Sequence, residues 1–174
     1  MAVTLRDMDE DDLPLLVHWL AQPHVVRWWY ETPTLDQARA KYLPRLAGAD
    51  STHMLIVVGD GVPIGLAQWY EWDEEPADRD NNRVGPGELG VDYTIGELGA
   101  CYRGLGTEMV ARLLELLRER YPAGTPVSVT PEAANLPSRR ILEKNGFELV
   151  EVFQSDPLPG AHPTGPTARY RRLL

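Results

Sequence analysis

The residues with the clearest chemical potential form a glycine-bearing turn that leads into an amphipathic helix. The turn reads Arg103-Gly104-Leu105-Gly106-Thr107. Glycines let the backbone approach a ligand closely, and the first N–H groups of a helix have no partner inside the helix and favour an anion. Arg103 adds a positive charge, and the Thr107 hydroxyl can donate one more hydrogen bond. A pyrophosphate could bind there, although the pattern alone favours an ordinary strand-to-helix turn.

The strand predicted at 88–97 runs toward this turn and carries a candidate catalytic group, Asp92. Side chains alternate along a strand, so Asp92 projects from the face opposite to Tyr93. A carboxylate placed there can help to deprotonate a substrate ammonium, or it can simply face solvent. The backbone groups of Tyr93, Thr94 and Ile95 are candidates to bind an acyl donor in the way that an added strand would.

Acidic and aromatic side chains in the first half of the chain suit a cationic ligand. Residues 1–99 carry 18 acidic and 7 basic side chains (net −11), whereas residues 100–174 carry 8 acidic and 10 basic (net +2). Carboxylates and aromatic faces together can hold a polycation, although a solvated loop and core tryptophans are the alternative. The candidates for substrate contact are Trp28, Trp29, Trp72, Asp73 and Glu74.

The elements that must position these residues follow from hydrophobic periodicity and from turn and cap signals. Apolar residues at helical spacing, with caps and stops, predict helices at 13–22, 35–46, 105–120 and 135–145. Alternating or continuous apolar runs predict strands at 3–6, 53–58, 62–72, 88–97, 127–129, 147–153 and 167–174. This order predicts an α+β single domain over residues 1–174, with a mostly antiparallel sheet of about seven strands flanked by about four helices.

Turn and loop signals separate these elements. Asp60-Gly61 between two apolar runs predicts a hairpin, and Thr34 followed by Gln37 predicts a capping box. The charged stretch 73–87 predicts a long exposed loop, the aromatic segment 24–30 predicts irregular structure, and the Pro- and Gly-rich stretch 157–166 predicts another loop.

Within this framework, two motifs resemble the GNAT N-acetyltransferase superfamily. The turn at 103–107 is similar to the coenzyme A pyrophosphate loop of that superfamily. Asn135, Ser138 and Glu143-Lys144-Asn145-Gly146-Phe147 resemble its second motif, in which a helix flanks the pantetheine arm. Further blocks along most of the chain resemble the aminoglycoside 6'-N-acetyltransferases: residues 4–6, 20–29, 42–44, 63–68 and 90–92.

The resemblance implies acetyl-CoA as co-substrate and direct acetyl transfer to the 6'-amine of an aminoglycoside. It implies that Asp92 is catalytic and also contacts the substrate, and that Asn135 and Ser138 join residues 93–95 and 103–107 in binding the cofactor. Leu142 departs from the pattern, because many members carry at this position a tyrosine thought to protonate the leaving thiolate. The lone Cys101, on the turn and far along the chain from Asp92, is a poor candidate for an acyl carrier.

Two other functions remain open at this stage. A lysine-type siderophore N-acyltransferase shares part of the His24–Trp29 pattern, and the departure at Leu142 motivates a non-catalytic module that binds aminoglycoside or coenzyme A. The net charge of −9 argues against a nucleic-acid partner. No apolar run is long enough to span a membrane, which predicts a cytoplasmic protein, and the four histidines show no metal-ligand spacing, so no metal is predicted. We expect a monomer or a homodimer.

Overall fold

The computed structural model describes residues 2–156 and 165–174. The strands are β1 (Val3–Asp7), β2 (His53–Gly59), β3 (Val62–Glu71), β4 (Leu89–Ile95), β5 (Pro126–Val129), β6 (Glu148–Phe153) and β7 (Thr167–Leu173). The α-helices are α1 (Leu13–Leu20), α2 (Pro23–Trp29), α3 (Leu35–Leu46), α4 (Pro76–Asn81), α5 (Leu105–Arg120) and α6 (Leu136–Lys144). Short 3-10 turns cover Glu10–Asp12, Trp72–Glu74 and Leu98–Ala100.

The strands form one sheet of seven, in the order β1-β2-β3-β4-β5-β7-β6. The pairs β1–β2, β2–β3, β5–β7 and β6–β7 are antiparallel, and β4 pairs in parallel with β5 through Leu89↔Val127 and Gly90↔Ser128. The β2–β3 hairpin turns at Asp60 and Gly61, which both have positive φ (48° and 82°), as an Asp-Gly turn allows. The expected mostly antiparallel, seven-stranded α+β fold is confirmed.

The described residues form six α-helices where the sequence predicts about four, and the two additional helices each begin at a proline. Residues 24–30, expected to be irregular, contain most of α2, and residues 73–87, expected to be a loop, contain α4. In both cases a proline, Pro23 or Pro76, stands at the start of the helix. A proline stops the preceding helix but fits the first turn of a new one, because its missing N–H has no partner there anyway.

Local cap signals behave as the sequence predicts. The Thr34 hydroxyl accepts a hydrogen bond from the Gln37 N–H (3.3 Å), and the Gln37 side chain accepts one from the Thr34 N–H (2.8 Å). This reciprocal pair starts α3 at Leu35. Of the loop predicted at 157–166, residues 157–164 lie outside the described residues.

The chain forms two compact units, one from Met1–Trp69 with Asp92–Leu113 and one from Tyr70–Val91 with Leu114–Leu174. In the first unit, α1, α2 and α3 pack on one face of β2 and β3. The buried apolar side chains of this contact are Met8, Leu13, Leu16, Trp19, Leu20, Val25, Ala38, Tyr42, Met54, Ile56 and Leu66.

In the second unit, β7 pairs with both β5 and β6, and Tyr170 on β7 is fully buried. Its hydroxyl donates to Glu143 Oε1 (2.7 Å) and accepts from Arg139 Nε (3.0 Å), so it ties α6 to the sheet. Ser128 on β5 donates to the buried carboxylate of Glu88, which also accepts from Arg171 Nε (3.2 Å). A buried carboxylate must be compensated in this way.

Candidate active site

Asp92 and Gln68 lie on neighbouring strands of the first unit and are joined by a hydrogen bond. The Gln68 Nε2 on β3 donates to Asp92 Oδ2 on β4 over 2.8 Å. Gln68 is 7% exposed, whereas Asp92 is half-buried. The candidate catalytic carboxylate is therefore oriented by an uncharged amide that is itself held in the sheet.

The chain just beyond β4 is fixed against α1. Gly96 lies against Trp19, and a Cβ at this glycine would overlap the indole ring. The Trp19 Nε1 donates to Glu97 Oε1 (2.8 Å), so the same tryptophan holds both residues. Because Asp92, Thr94 and Gly96 alternate onto one face of the strand, Asp92 projects on the face that α1 covers.

His24, the second residue of α2, reaches the end of β4. Its Nε2 lies 3.0 Å from the backbone oxygen of Ile95. A carbonyl oxygen only accepts hydrogen bonds, so Nε2 carries the hydrogen and donates it. The ring of His24 thus joins α2 to the end of β4.

The backbone of β4 presents two different edges. The Gly96 N–H donates to the Ile64 carbonyl on β3 (2.8 Å), and the Thr94 carbonyl lies close to Gly65 of the same strand. Because backbone groups alternate in direction, those of Tyr93 and Ile95 face the edge away from β3. Of the three predicted cofactor contacts on β4, Thr94 therefore has its backbone on the β3 side.

The glycine turn contains a residue in the left-handed region. Gly104 has φ +83°, in the left-handed region, directly before α5 begins at Leu105. Its carbonyl accepts from the Thr107 N–H (3.0 Å), so this amide is already used. The side chain of Leu105 is buried. The backbone N–H groups of Leu105 and Gly106 lie in the first turn of α5 and therefore have no carbonyl partner within the helix.

Cys101 precedes this turn and has the properties of a packed thiol. Its Sγ lies 3.7 Å from the backbone oxygen of Glu97, and burial raises the pKa of the thiol. A raised pKa lowers the thiolate fraction and hence the nucleophilicity at neutral pH. These properties agree with direct transfer and argue against an acyl carrier at this position.

The residues of the second motif lie in the second unit. Asn135 caps α6, because its Oδ1 accepts the N–H of Ser138 (3.3 Å). Leu142, at the position where many family members carry a tyrosine, is fully buried. Its side chain contains no group that can donate a proton.

The acidic loop candidates also lie in the second unit. Trp72 is 3% exposed, and its indole N–H points to the Ser128 carbonyl (3.3 Å), which favours a core role over contact with a substrate. The Asp73 carboxylate is held by Arg79 (2.7 Å) and by the Gly87 N–H (2.8 Å), and the Arg79 hydrogen bond lowers the pKa of Asp73. Glu74 is exposed.

Trp28 and Trp29 end α2 in the first unit, and both are half-buried. Trp29 packs against the core, and the Arg27 guanidinium lies 4.7 Å from the centre of the Trp28 ring. His24 on the same helix contacts β4. Both tryptophans therefore lie on α2, the helix that contacts the end of the Asp92 strand.

Sequence reasoning missed the roles of Gln68, Trp19 and Glu97. A single amide inside the apolar run from Ile64 to Trp69 was the available signal for Gln68. Trp19 and Glu97 gave none, because they are 78 positions apart in the chain.

The fold and these motifs define an acyltransferase class. The family model described as an acetyltransferase (GNAT) domain matches residues 9–155. The chain belongs to this GNAT family and is an N-acetyltransferase, which leaves the alternative of a non-catalytic binding module without support.

Individual relatives show which N-acetyltransferases this chain is similar to. The chain is 37% identical to an aminoglycoside N(6')-acetyltransferase type 1 of Klebsiella pneumoniae over 157 residues, 84% of this chain and 74% of the relative. A crystal structure of an aminoglycoside acetyltransferase in complex with coenzyme A and kanamycin superposes with a TM-score of 0.79 at 32% identity, covering 99% of this chain and 95% of the other. An N-hydroxyputrescine acetyltransferase of Acinetobacter baumannii is 39% identical over 61 residues, which is 34% of this chain and 28% of the relative.

Two further features concern possible metal ligands and the length and hydropathy of the helices. Among the residues that the structure describes, no group of three or more His, Cys, Asp or Glu side chains is arranged to hold a metal ion. Within residues 2–156 and 165–174, every helix falls short of the length and hydropathy that a membrane span requires.

Proposed function

We propose that this N-acetyltransferase moves the acetyl group of acetyl-CoA directly to the 6'-amine of an aminoglycoside. The observation that carries the proposal is the 37% identity with an aminoglycoside N(6')-acetyltransferase over 84% of the chain. The arrangement around Asp92 supports it, because an oriented carboxylate lies on a strand that leads to a glycine turn suited to pyrophosphate.

The chemistry assigns one task to each part of this site. Asp92 binds the substrate ammonium and takes its proton, so that the nitrogen lone pair attacks the thioester carbonyl. The C–N bond forms as the C–S bond breaks, and the sulfur leaves with the electron pair. The proton released by the amine balances the thiolate, which departs as free coenzyme A. No enzyme nucleophile enters this sequence.

The acetyl-CoA molecule requires donors for its phosphates and for its pantetheine arm. The N–H groups of Leu105 and Gly106, with the charge of Arg103, fit the pyrophosphate, and Gly104 gives the backbone the conformation that exposes these groups. The β4 edge at Tyr93 and Ile95 fits the extended pantetheine arm. Asn135 and Ser138, at the start of α6, are proposed to flank the same arm.

For the acceptor, we propose that Trp28, Trp29, Asp73 and Glu74 contact the aminoglycoside together with Asp92. Half-buried indoles offer apolar faces for the sugar rings, and carboxylates pair with the remaining ammonium groups. Trp72 would contribute through packing, in keeping with its burial.

The competing substrate is a diamine or lysine-type amine of the kind used in siderophore assembly. The partial match to an N-hydroxyputrescine acetyltransferase favours it, but that match covers 34% of the chain against 84% for the aminoglycoside relative. The two substrates differ in charge and ring structure, so that a rate comparison separates them.

The test is thiol release from acetyl-CoA with purified protein and a matched pair of acceptors. Kanamycin has an amine at the 6' position, whereas paromomycin has a hydroxyl there. We expect turnover with kanamycin, an acetyl group that NMR places on N6', and little turnover with paromomycin. Equal rates with both, or faster acetylation of putrescine and lysine derivatives, would refute the 6'-assignment.

We further propose that the enzyme acts in the cytoplasm, where acetyl-CoA is made, as a monomer or a homodimer. Light scattering coupled to size exclusion distinguishes 19.5 kDa from twice that mass.

A further inference from the structure

Gln68 contains an unusual buried atom. Among the described residues, its Oε1 is the only buried side-chain nitrogen or oxygen without a hydrogen-bond partner. The other buried polar side chains of the described chain, which are Asp12, Glu88, Ser128 and Thr167, each have a side-chain partner. Because burial of an unpaired carbonyl costs free energy, this atom requires an explanation.

The orientation of the amide follows from its partner. Asp92 Oδ2 can only accept, so the NH2 end of Gln68 must face it. Rotation of the amide by half a turn would bring Oε1 against the carboxylate, and two acceptors repel each other. The hydrogen bond to Asp92 therefore explains why Gln68 Oε1 points to a place without a hydrogen-bond donor.

The surroundings favour an apolar residue at this position. Leu66, two residues earlier on the same face of β3, belongs to the buried contact with α1, α2 and α3. The neighbours Ala67 and Trp69 are also buried. A methionine or leucine would fill the same space without leaving a carbonyl unpaired, so packing alone does not account for the amide.

We infer that Gln68 is a positioning residue that orients Asp92 for acetyl transfer, and that its unpaired carbonyl oxygen lowers the stability of the fold. It acts through Asp92 Oδ2, which it fixes against β3, and so orients the carboxylate. The inference rests on the proposed function only for the role of Asp92 in transfer, because the Gln68–Asp92 bond and the unpaired carbonyl are features of the fold itself.

The test replaces the amide with an apolar side chain of similar volume. Gln68→Met removes the donor and the unpaired acceptor together, and Leu66→Met is the matched control on the same strand face. We expect Gln68→Met to melt at or above the temperature of Leu66→Met. We expect kcat to fall about 10-fold to 100-fold, since a small misplacement of a reacting group costs on that order, while the KM for acetyl-CoA stays within about twofold.

A second readout does not depend on substrate. The carboxyl carbon of Asp92, assigned in the 13C NMR spectrum by its loss in Asp92→Asn, is followed against pH. A hydrogen bond to the ionised carboxylate favours that form, so Asp92 should titrate at a higher pH in Gln68→Met than in the wild type or in Leu66→Met. The acid limb of the pH–rate profile should move in the same direction.

Each remaining outcome overturns the inference. A Gln68→Met protein that unfolds or melts well below Leu66→Met shows that the amide serves the fold. An unchanged titration of Asp92, or a kcat within threefold of Leu66→Met, shows that the amide does not position the carboxylate. If the wild type acetylates some other amine in place of kanamycin, the proposed substrate falls, and that amine is used for the kcat comparison while the melting and NMR results stand.

Discussion

Asp92 accepts a hydrogen bond from a neutral amide, the Nε2 of Gln68. Several other carboxylates are neutralised by a nearby cation: Asp12 by Arg6, Glu31 by Lys41, and Asp73 by Arg79. The Gln68 amide orients the Asp92 carboxylate and adds no charge of its own. Such a group can bind an ammonium and accept its proton, which is the role that direct transfer requires.

The first prediction concerns this carboxylate. Asp92→Asn keeps the shape of the side chain but removes the base, so we expect kcat to fall about 100-fold or more, because general bases contribute roughly 10²–10⁴ in rate. Acetyl-CoA affinity, measured by calorimetry, should stay within about twofold. The matched control is Asp36→Asn on α3, where the carboxylate is 96% exposed. Equal rates for the two variants would remove Asp92 from the mechanism.

The second prediction concerns Gly104. Its φ of +83° would strain any other residue, although a Cβ added at this position would meet no atom within 4 Å. Gly104→Val is expected to shift the turn out of the left-handed region at a cost of about 1–2 kcal/mol, which weakens acetyl-CoA binding about 10-fold. Gly99→Val, in equally open space without a positive φ, is the control. Equal dissociation constants for the two variants would contradict the assignment of the turn.

At the scale of secondary structure elements, α1 and α2 hold the end of the Asp92 strand from one face. Trp19 of α1 contacts Gly96 and Glu97, and His24 of α2 donates to the Ile95 carbonyl. These contacts come from two consecutive helices and meet three consecutive residues. The position of the strand end therefore depends on how both helices pack in the first unit.

Gly96→Ala tests this packing. The new methyl group would overlap the Trp19 ring, so we expect a loss of stability of about 1–3 kcal/mol, as is common for overpacked sites. Urea denaturation measures the loss, and Gly99→Ala, where a Cβ meets open space, should change stability far less. A Gly96→Ala protein as stable as Gly99→Ala would show that Trp19 does not press on the strand.

The start of α1 is fixed by an ion pair whose strength depends on pH. Arg6 on β1 donates two hydrogen bonds of 2.6 Å to Asp12, and these bonds hold the pKa of Asp12 below its usual value. A lowered pKa in the folded state means that the stabilisation is present above the unfolded pKa, near 3.9, and is lost as pH falls through the folded value.

Asp12→Asn should therefore lower the free energy of unfolding at pH 7 by about 1.5–3 kcal/mol, the range for hydrogen bonds to charged groups. The difference from the wild type should be smaller at about pH 3, below the unfolded pKa, because protonation of Asp12 progressively removes the ion pair as the pH falls. Urea denaturation at the two pH values measures both quantities. A difference that does not change with pH would show that the ion pair contributes nothing through charge.

At the scale of the whole molecule, the net charge of −9 creates a field that attracts a polycation. We expect kcat/KM for kanamycin to fall as KCl rises from about 50 mM to about 500 mM, because salt screens charges over a shorter distance at higher concentration. The KM for acetyl-CoA, an anion, provides the internal comparison and should not rise in parallel. A kcat/KM for kanamycin that is independent of salt would show that the acidic surface does not assist binding.

Features that depend on neighbouring residues could be predicted from the amino-acid sequence. The bounds of α3 and α5 match their predictions, because a capping box and a regular apolar spacing act within a few positions. The glycine turn at 103–107 was also recognisable, since its signal lies in five consecutive residues. The short helices α2 and α4 were missed because Pro23 was interpreted as a stop and the charged stretch 73–87 as a loop, whereas a proline can also start a helix.

The contacts between distant residues at the Asp92 strand could not be predicted in this way and follow from the folded chain. Gln68 and Asp92 are 24 positions apart, His24 and Ile95 are 71 apart, and Trp19 and Glu97 are 78 apart. Likewise, the sequence offered Trp72 as a substrate contact, and its burial in the second unit appears only once the chain is folded. Local signals reflect the energies of adjacent residues, whereas these contacts depend on how helices and strands from separate parts of the chain pack together.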